Sequence, residues 1–163
     1  MTVAPDLPSF AALLPAYGSL LGLDVSRRRI GLAGTDPGRR LVTPLRTLQR
    51  GRWKDDWPKI AKVAAEREAA ALVVGLPAHM DGTATPEGEA ARAFAANLAA
   101  ALGLPVHLQD ERLTTFAVED AIEEGRLPRP KRPGDPLDHY AAAVILEDCL
   151  AQLARAGVSA RGH

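Results

Sequence analysis

The chain has 163 residues, of which 47% are hydrophobic, and this length fits one domain with a substantial core. Its 20 basic and 20 acidic side chains cancel, which excludes a polycation, so any affinity for nucleic acid must come from a local patch. The lone Cys149 excludes an intramolecular disulfide and a cysteine-rich zinc site. We find neither a signal-peptide pattern nor an apolar window of about 18 residues, so we expect a soluble cytoplasmic protein without a membrane contact.

The N-terminal third of the chain predicts an arm followed by three strands. Residues 1–19 carry three prolines around a short apolar stretch and predict an appended arm or small helix outside the main fold, which could be flexible. Strands are predicted near 20–25, 29–35 and 41–47, close enough in sequence to pair as an antiparallel meander.

The middle of the chain alternates between helices and strands. A helix is predicted from about Trp57 to Ala69, with a proline in its first turn, and a short buried strand at Leu72–Val74. The next helix has clear boundaries, since Thr85 can cap it, Pro86 suits its first position and Gly103 can end it.

The C-terminal part predicts one more strand and two helices. The strand covers 105–109, and a helix runs from Thr114 or Thr115 to Glu124. Residues 125–134 hold three prolines and four basic residues and predict a loop. Asp135 can cap a final helix over about 136–157.

This order of elements predicts an α/β fold. Three strands followed by helix–strand–helix–strand–helix give a mixed five-stranded sheet, three strands antiparallel and two parallel, flanked by helices. We assign residues 20–157 to a single domain and 158–163 to a C-terminal tail.

Asp24 is the most informative residue, because it places a carboxylate inside an otherwise buried strand. Such a charge needs compensation, and a divalent metal is a common one. Two further acidic sites follow, at Asp110-Glu111 and at Asp138. Carboxylates that a compact fold could gather suggest metal-assisted phosphodiester chemistry, in which two ions about 3.5–4 Å apart act together. Each acid could instead be a surface or capping group, and Asp24 could pair with an arginine from Arg27–Arg29.

The second and third acidic sites each leave a choice. Adjacent strand residues point to opposite faces, so at most one of Asp110 and Glu111 should face the same cleft as Asp24. If Asp135 is the cap, Asp138 occupies the third helical position, where it could simply favour the helix dipole. The helical wheel places Asp138 on the core-facing side of this helix, which favours metal ligation.

Two clusters of basic residues could bind the phosphates of a nucleic acid. Nine arginines and lysines lie between Ser26 and Lys54 against one acid, Asp36, and the loop before Asp138 adds four more. Solvated surface charge is the alternative for each of them. The candidate contacts are Arg27, Arg28, Arg29, Arg112, Arg126, Arg129, Lys131 and Arg132.

Five motifs in order resemble the YqgF/RuvX family, the RuvC-like branch of the ribonuclease H-like superfamily, over about residues 20–155. They are Leu23-Asp24-Val25 with Arg29-Ile30-Gly31, Val73-Val74-Gly75-Leu76-Pro77, Met80-Asp81-Gly82-Thr83, Asp110-Glu111-Arg112-Leu113-Thr114-Thr115, and Asp138 followed by Ala141-Ala142-Ala143-Val144-Ile145-Leu146. The resemblance implies a ribonuclease H-like fold and cleavage of nucleic acid that depends on Mg²⁺ or Mn²⁺. The family is associated with maturing the 5′ end of 16S ribosomal RNA and with Holliday-junction resolution.

The resemblance also implies the site residues. Asp24, Glu111 and Asp138 are the expected catalytic metal ligands, with Asp110 as the substitute for Glu111. We therefore expect an endonuclease acting on structured RNA, above all precursor ribosomal RNA. The alternatives are a resolvase of branched DNA and an RNA-binding assembly factor that does not cut. A monomer and a homodimer both remain open.

Overall fold

The computed structural model describes residues 2–77, 83–111 and 114–157, with their side chains except those of 114–117. Within these residues, no helix combines the length and hydrophobicity of a membrane span. The elements in chain order are α1 (Leu7–Leu13), β1 (Ser19–Val25), β2 (Arg29–Thr35), β3 (Val42–Gln49), α2 (Trp53–Glu66), β4 (Ala69–Leu76), α3 (Pro86–Leu102), β5 (Val106–Asp110), α4 (Thr114–Glu123) and α5 (Asp138–Arg155).

The five strands form one mixed sheet in the order β3-β2-β1-β4-β5. The pairs β1–β2 and β2–β3 are antiparallel, whereas β1–β4 and β4–β5 are parallel. The predicted sheet is therefore confirmed. Because β1, β4 and β5 run in the same direction, their carboxyl ends meet at one edge of the sheet, where α/β sheets commonly place ligands.

The core lies on both sides of this sheet. Helices α4 and α5 cover one face, which we call the α5 face, and α2 and α3 cover the other. Alternation along β1 sends Leu20 into the α5-face cluster and Leu21 and Leu23 into the opposite cluster. Asp24 follows the same alternation and belongs to the α5 face.

Helix α3 begins and ends where local signals predict. The Thr85 hydroxyl accepts a hydrogen bond from the Gly88 amide at 2.9 Å, and Gly103 ends the helix with a left-handed φ of 68°. Helix α2 instead begins at Trp53, four residues before the predicted Trp57, and places Pro58 inside the helix. The buried Asp56 carboxylate accepts from the Gly51 amide at 3.1 Å, which fixes the earlier start.

Helix α5 also differs at its start, and this difference affects the site. Asp135 does not cap the helix; its carboxylate accepts a hydrogen bond from the Arg132 amide at 3.2 Å and closes the preceding turn. The cap position falls on Leu137, which makes no side-chain cap bond. Asp138 is therefore the first residue of α5, not the third.

The N-terminal segment packs against the edge of the sheet. The Ala4 amide donates to the Val106 carbonyl at 2.8 Å, and Phe10 is fully buried and stacks on His107 with ring centroids 5.1 Å apart. This packing differs from the predicted arm outside the main fold, since a buried aromatic ring ties α1 to β5. Arg39 holds the same segment, donating to the Gly18 and Pro15 carbonyls.

Candidate active site

Asp24 lies at the end of β1, beside the first turn of α5. It pairs with Gly31 across the β1–β2 ladder, so both residues face the same side of the sheet. A Cβ at Gly31 would overlap the Asp138 carbonyl group and lie 2.6 Å from the His139 nitrogen. Helix α5 therefore begins in direct contact with the strand next to Asp24.

Glu111 reaches the same place from β5. The residue follows the end of that strand, and its side chain lies over Gly75 on β4. A Cβ at Gly75 would be 2.5 Å from Glu111 Oε2 and 2.6 Å from Ile145 Cδ1. The missing side chain at Gly75 thus provides the space in which the Glu111 carboxyl sits on the α5 face.

Asp110 points the other way. It pairs with Leu76 in the β4–β5 ladder and is exposed, whereas Gln109 and Gly75 pair on the α5 face. Of the two adjacent acids, the structure brings Glu111 to Asp24 and leaves Asp110 on the opposite face.

The Asp24 and Glu111 carboxyl groups are joined by a hydrogen bond, in which protonated Glu111 donates to Asp24. Burial, together with the negative charge of Asp138, raises the pKa of Asp24 to about 6. Burial, followed by the charge of Asp24, raises the pKa of Glu111 to about 8. At neutral pH the pair therefore retains one proton, on Glu111. The crowded carboxyl groups make this position favourable for a positively charged ligand.

Asp138 is the third carboxylate of the site and is paired with Arg29. The distance from Arg29 Nε to Asp138 Oδ2 is 2.8 Å, and the Asp138 side chain is only 12% exposed. One of the arginines after β1 does form an ion pair, as considered for Asp24, but its partner is Asp138.

The donor set suits a hard divalent ion. Three carboxylates come from β1, the end of β5 and α5, and oxygen ligands of this kind are those that Mg²⁺ prefers. In the arrangement observed, however, the part of the chain that the structure describes contains no group of three or more His, Cys, Asp or Glu side chains with metal-binding spacing. Asp24 and Glu111 are oriented toward each other, and Asp138 is oriented toward Arg29. Binding of an ion would require the pair to lose its proton, and the ion would compete with Arg29 for the Asp138 carboxylate.

The predicted nucleic-acid contacts fall into different environments. Arg126 is bound to Glu124 and Glu147 at 2.9 and 2.8 Å, so its charge is balanced locally. Arg39, one of the nine basic residues in the first cluster, is buried, and Arg112 lies outside the described residues. The exposed basic residues nearest to the carboxylates in the chain are Arg27 and Arg28 in the β1–β2 turn and Arg129, Lys131 and Arg132 in the loop before α5.

Some features of the site were not predicted from the sequence. Gly31 and Gly75 belong to the sequence motifs, but the close approach that each allows was not predicted, and a glycine within a buried strand is the signal that could have indicated it. His139 follows Asp138, and its Nδ1 lies 2.8 Å from the Thr47 hydroxyl on β3. Cys149 is fully buried, and burial raises the pKa of its thiol to about 12, as is typical of a core cysteine and not of a nucleophile.

Comparisons with known proteins agree with the motifs. A family profile described as RuvX, Holliday junction resolvase, matches residues 18–152. A protein of Rhodobacter capsulatus is 43% identical over 155 residues, covering 95% of this chain and 97% of the relative. A protein of Rhodopseudomonas palustris is 44% identical over 159 residues, covering 94% and 99%. Both relatives are named as candidate pre-16S rRNA nucleases.

Solved structures agree with the fold. Thermus thermophilus RuvC in complex with a Holliday junction substrate has a TM-score of 0.54 at 17% identity, covering 86% of this chain and 97% of RuvC. The fowlpox virus resolvase in complex with Holliday junction DNA has a TM-score of 0.51 at 8% identity, covering 83% and 99%. These two likenesses concern the fold alone. They agree with the ribonuclease H-like fold that the motifs predicted, and the profile and the two relatives show that the chain belongs to the RuvX (YqgF) family.

Proposed function

We propose that the protein is a divalent-metal-dependent endonuclease that hydrolyses phosphodiester bonds in structured nucleic acid. Its main role would be to process the 5′ end of pre-16S ribosomal RNA during ribosome biogenesis in the cytoplasm. The observation that carries the proposal is the buried, hydrogen-bonded pair of Asp24 and Glu111 with Asp138 beside it, at the carboxyl edge of the sheet. The choice of substrate is supported by the names of relatives that match over nearly their whole length.

Asp24, Glu111 and Asp138 would hold Mg²⁺ or Mn²⁺. The ions would supply the positive charge that activates water and stabilises the leaving oxygen, and the carboxylates suit a pair of them. Because the charge of Asp138 and the hydrogen bond from Glu111 both act on Asp24, Asp24 is the carboxylate that would serve both ions. The exposed basic residues at 27, 28, 129, 131 and 132 would bind the phosphate backbone, with strong dependence on salt.

Resolution of a Holliday junction or other branched DNA is the second candidate function. It is favoured by the description of the matching family profile. Symmetric nicking of a junction would favour a two-fold dimer, whereas trimming of RNA at one site would not require one. A non-cleaving assembly factor is the third candidate, and the acids at all three positions argue against it.

Asp24→Asn tests the proposed chemistry. In Mn²⁺, we expect the variant to cleave a labelled precursor-rRNA fragment at least about 10³-fold more slowly, the loss that follows removal of a group acting on the transition state. Its affinity for the same RNA should change little. Asp110→Asn is the matched control and should stay within about twofold of the wild type, since Asp110 lies on the opposite face.

The same assay separates the candidate functions. Faster cleavage of the RNA than of a four-way DNA junction supports ribosomal processing, and the reverse supports resolution. Cleavage by Asp24→Asn at the wild-type rate would contradict the proposal, as would loss of its circular dichroism spectrum, which would assign Asp24 a folding role.

A further inference from the structure

We infer that Arg29 acts as an electrostatic latch on Asp138. In the structure Arg29 Nε donates to Asp138 Oδ2, so the guanidinium competes for this carboxylate with a divalent ion that Asp24, Glu111 and Asp138 would hold together. The inference rests on the proposed function, because it concerns the same metal site. Arg29 is therefore a positioning residue that sets how readily the site is completed.

The backbone around this ion pair is fixed. Arg29 and Gly31 are two residues apart on β2 and so face the same side, where the absence of a side chain at Gly31 seats the first turn of α5. This contact brings Asp138 to Arg29 across 109 positions of sequence. With the backbone held in this way, rotation of the Asp138 side chain is the movement that can change its partner.

The charges explain why a bound divalent ion would compete with Arg29 for Asp138. Asp138 is near enough to Asp24 for its negative charge to disfavour ionisation there, and the Arg29 guanidinium supplies compensating positive charge. A divalent ion would compete with the guanidinium for the same carboxylate, and the two cations would repel each other at such a distance. The ion pair therefore lowers the affinity of the site for metal.

The size of the effect is modest. The Arg29 side chain is 41% exposed, and an ion pair with one partly exposed member shifts an equilibrium by about threefold to fivefold. Arg28 offers a matched control because it is exposed in the same turn, and no ion pair found among the described residues involves it.

The test is a set of Mn²⁺ binding isotherms, recorded by electron paramagnetic resonance of the free ion. Arg29→Gln should bind Mn²⁺ about threefold to fivefold more tightly than the wild type, whereas Arg28→Gln should stay within about 1.5-fold. Arg29→Lys keeps the charge and should return the affinity toward the wild-type value. In the Asp138→Asn background, Arg29→Gln should add less than about 1.5-fold, because the ion pair is already absent.

The outcomes are distinguishable. An unchanged or weaker Mn²⁺ affinity in Arg29→Gln, with a lower melting temperature of the metal-free protein, would overturn the latch and leave Arg29 a structural role. Equal gains with and without Asp138 would also overturn it, since they would reflect general charge. If wild-type binding of Mn²⁺ is unaffected by Asp24→Asn, the proposed metal site itself fails, and the latch with it. Should Arg29→Gln not fold, the same comparison is made with Arg29→Met, which also removes the charge, and a Met variant that binds Mn²⁺ with the wild-type affinity would overturn the latch.

Discussion

The two faces of the central sheet are built from the same strands in opposite ways. On the α2/α3 face, the central strands present large apolar side chains, namely Leu21, Leu23, Ile30, Leu32, Leu72 and Val74. On the α5 face, the alternate positions include Gly22, Gly31 and Gly75 together with Asp24. The side chains of the α2/α3 face are buried against the helices, and each contributes about 1.5–3 kcal/mol to stability when it is removed from water. The second face gives up part of this burial so that α5 can approach.

This difference between the two faces explains why the candidate active site lies on the α5 face. Three glycines allow the backbone of α5 and the Glu111 side chain to lie directly on the strands, which brings acids that are distant in sequence close to Asp24. Glycine within a strand reduces stability because it packs nothing and is flexible in the unfolded chain. We infer that the α2/α3 face supplies the stability on which this arrangement depends.

The largest effect that would test this comparison is expected from Gly31→Ala. The added methyl group would overlap the backbone of Asp138 and displace the start of α5. We expect cleavage to fall by about 10²-fold, as is typical of a misplacement of about 1 Å, and the free energy of unfolding to fall by about 1–3 kcal/mol. A cleavage assay and a urea titration measure both.

Gly22→Ala is the matched control on the same face. Its methyl group would meet Leu146 Cγ at 2.5 Å and the Ala142 carbonyl oxygen at 3.0 Å, one or two turns further along α5. Stability should fall by a similar amount, but cleavage should fall by less than about tenfold, because the first turn keeps its position. Equal losses of activity in the two variants would show that the whole helix moves and that Gly31 has no special role.

An intermediate effect is expected from pH, because the α5 face holds two carboxyl groups whose pKa values are raised by burial. The folded protein binds protons more tightly than the unfolded chain, so stability is fully present below about pH 4 and is lost as pH rises through the folded pKa values. For Glu111 this range extends from 4.5 to about 8. The contribution of this carboxyl pair to the stability of the metal-free protein should therefore fall between pH 4 and pH 8.

Glu111→Gln removes this ionisation and keeps a hydrogen-bond donor for Asp24. We expect its melting temperature to equal that of the wild type near pH 4 and to exceed it by about 2–8 °C at pH 8, an advantage of about 1–2 kcal/mol. Calorimetry in a chelating buffer measures the difference, and Asp120→Asn, which changes an exposed acid on α4, serves as the control. A constant difference at all pH values would mean that Glu111 is not neutral in the folded protein.

The sequence predicts the secondary structure and strand order better than the contacts of the candidate site on the α5 face. The boundaries of α3 and the order of the strands follow from local signals, such as the cap at Thr85 and alternating apolar positions. Glu111 could be preferred to Asp110 because strand geometry allows only one of them beside Asp24, and the family motif selected it.

Tertiary contacts limited the rest of the prediction. Asp135 has the composition of a helix cap, but its carboxylate is used by the turn that contains Arg132, so the start of α5 moved to Asp138. The ion pair of Asp138 with Arg29 joins residues far apart in the chain, and no local pattern specifies it. Phe10 lies among prolines that favour an irregular arm, and only the fold reveals the hydrophobic surface that buries it.

The smallest expected effect concerns the charges around the site. The double variant Arg129→Ala and Lys131→Ala removes two exposed cations from the loop that leads into α5, whereas Lys59→Ala with Lys62→Ala removes two exposed cations from α2 on the other side of the sheet. In the Asp24→Asn background, which binds without cutting, we expect the first pair to weaken RNA binding about fivefold near 0.1 M salt. The slope of log affinity against log salt should become less steep by about 1.5, since each phosphate contact contributes about 0.7–0.9.

The α2 pair should leave the slope unchanged, because nucleic acid that reaches Asp24 approaches from the carboxyl edge on the α5 face. If both pairs flatten the slope equally, binding is general to the surface and does not distinguish the two faces.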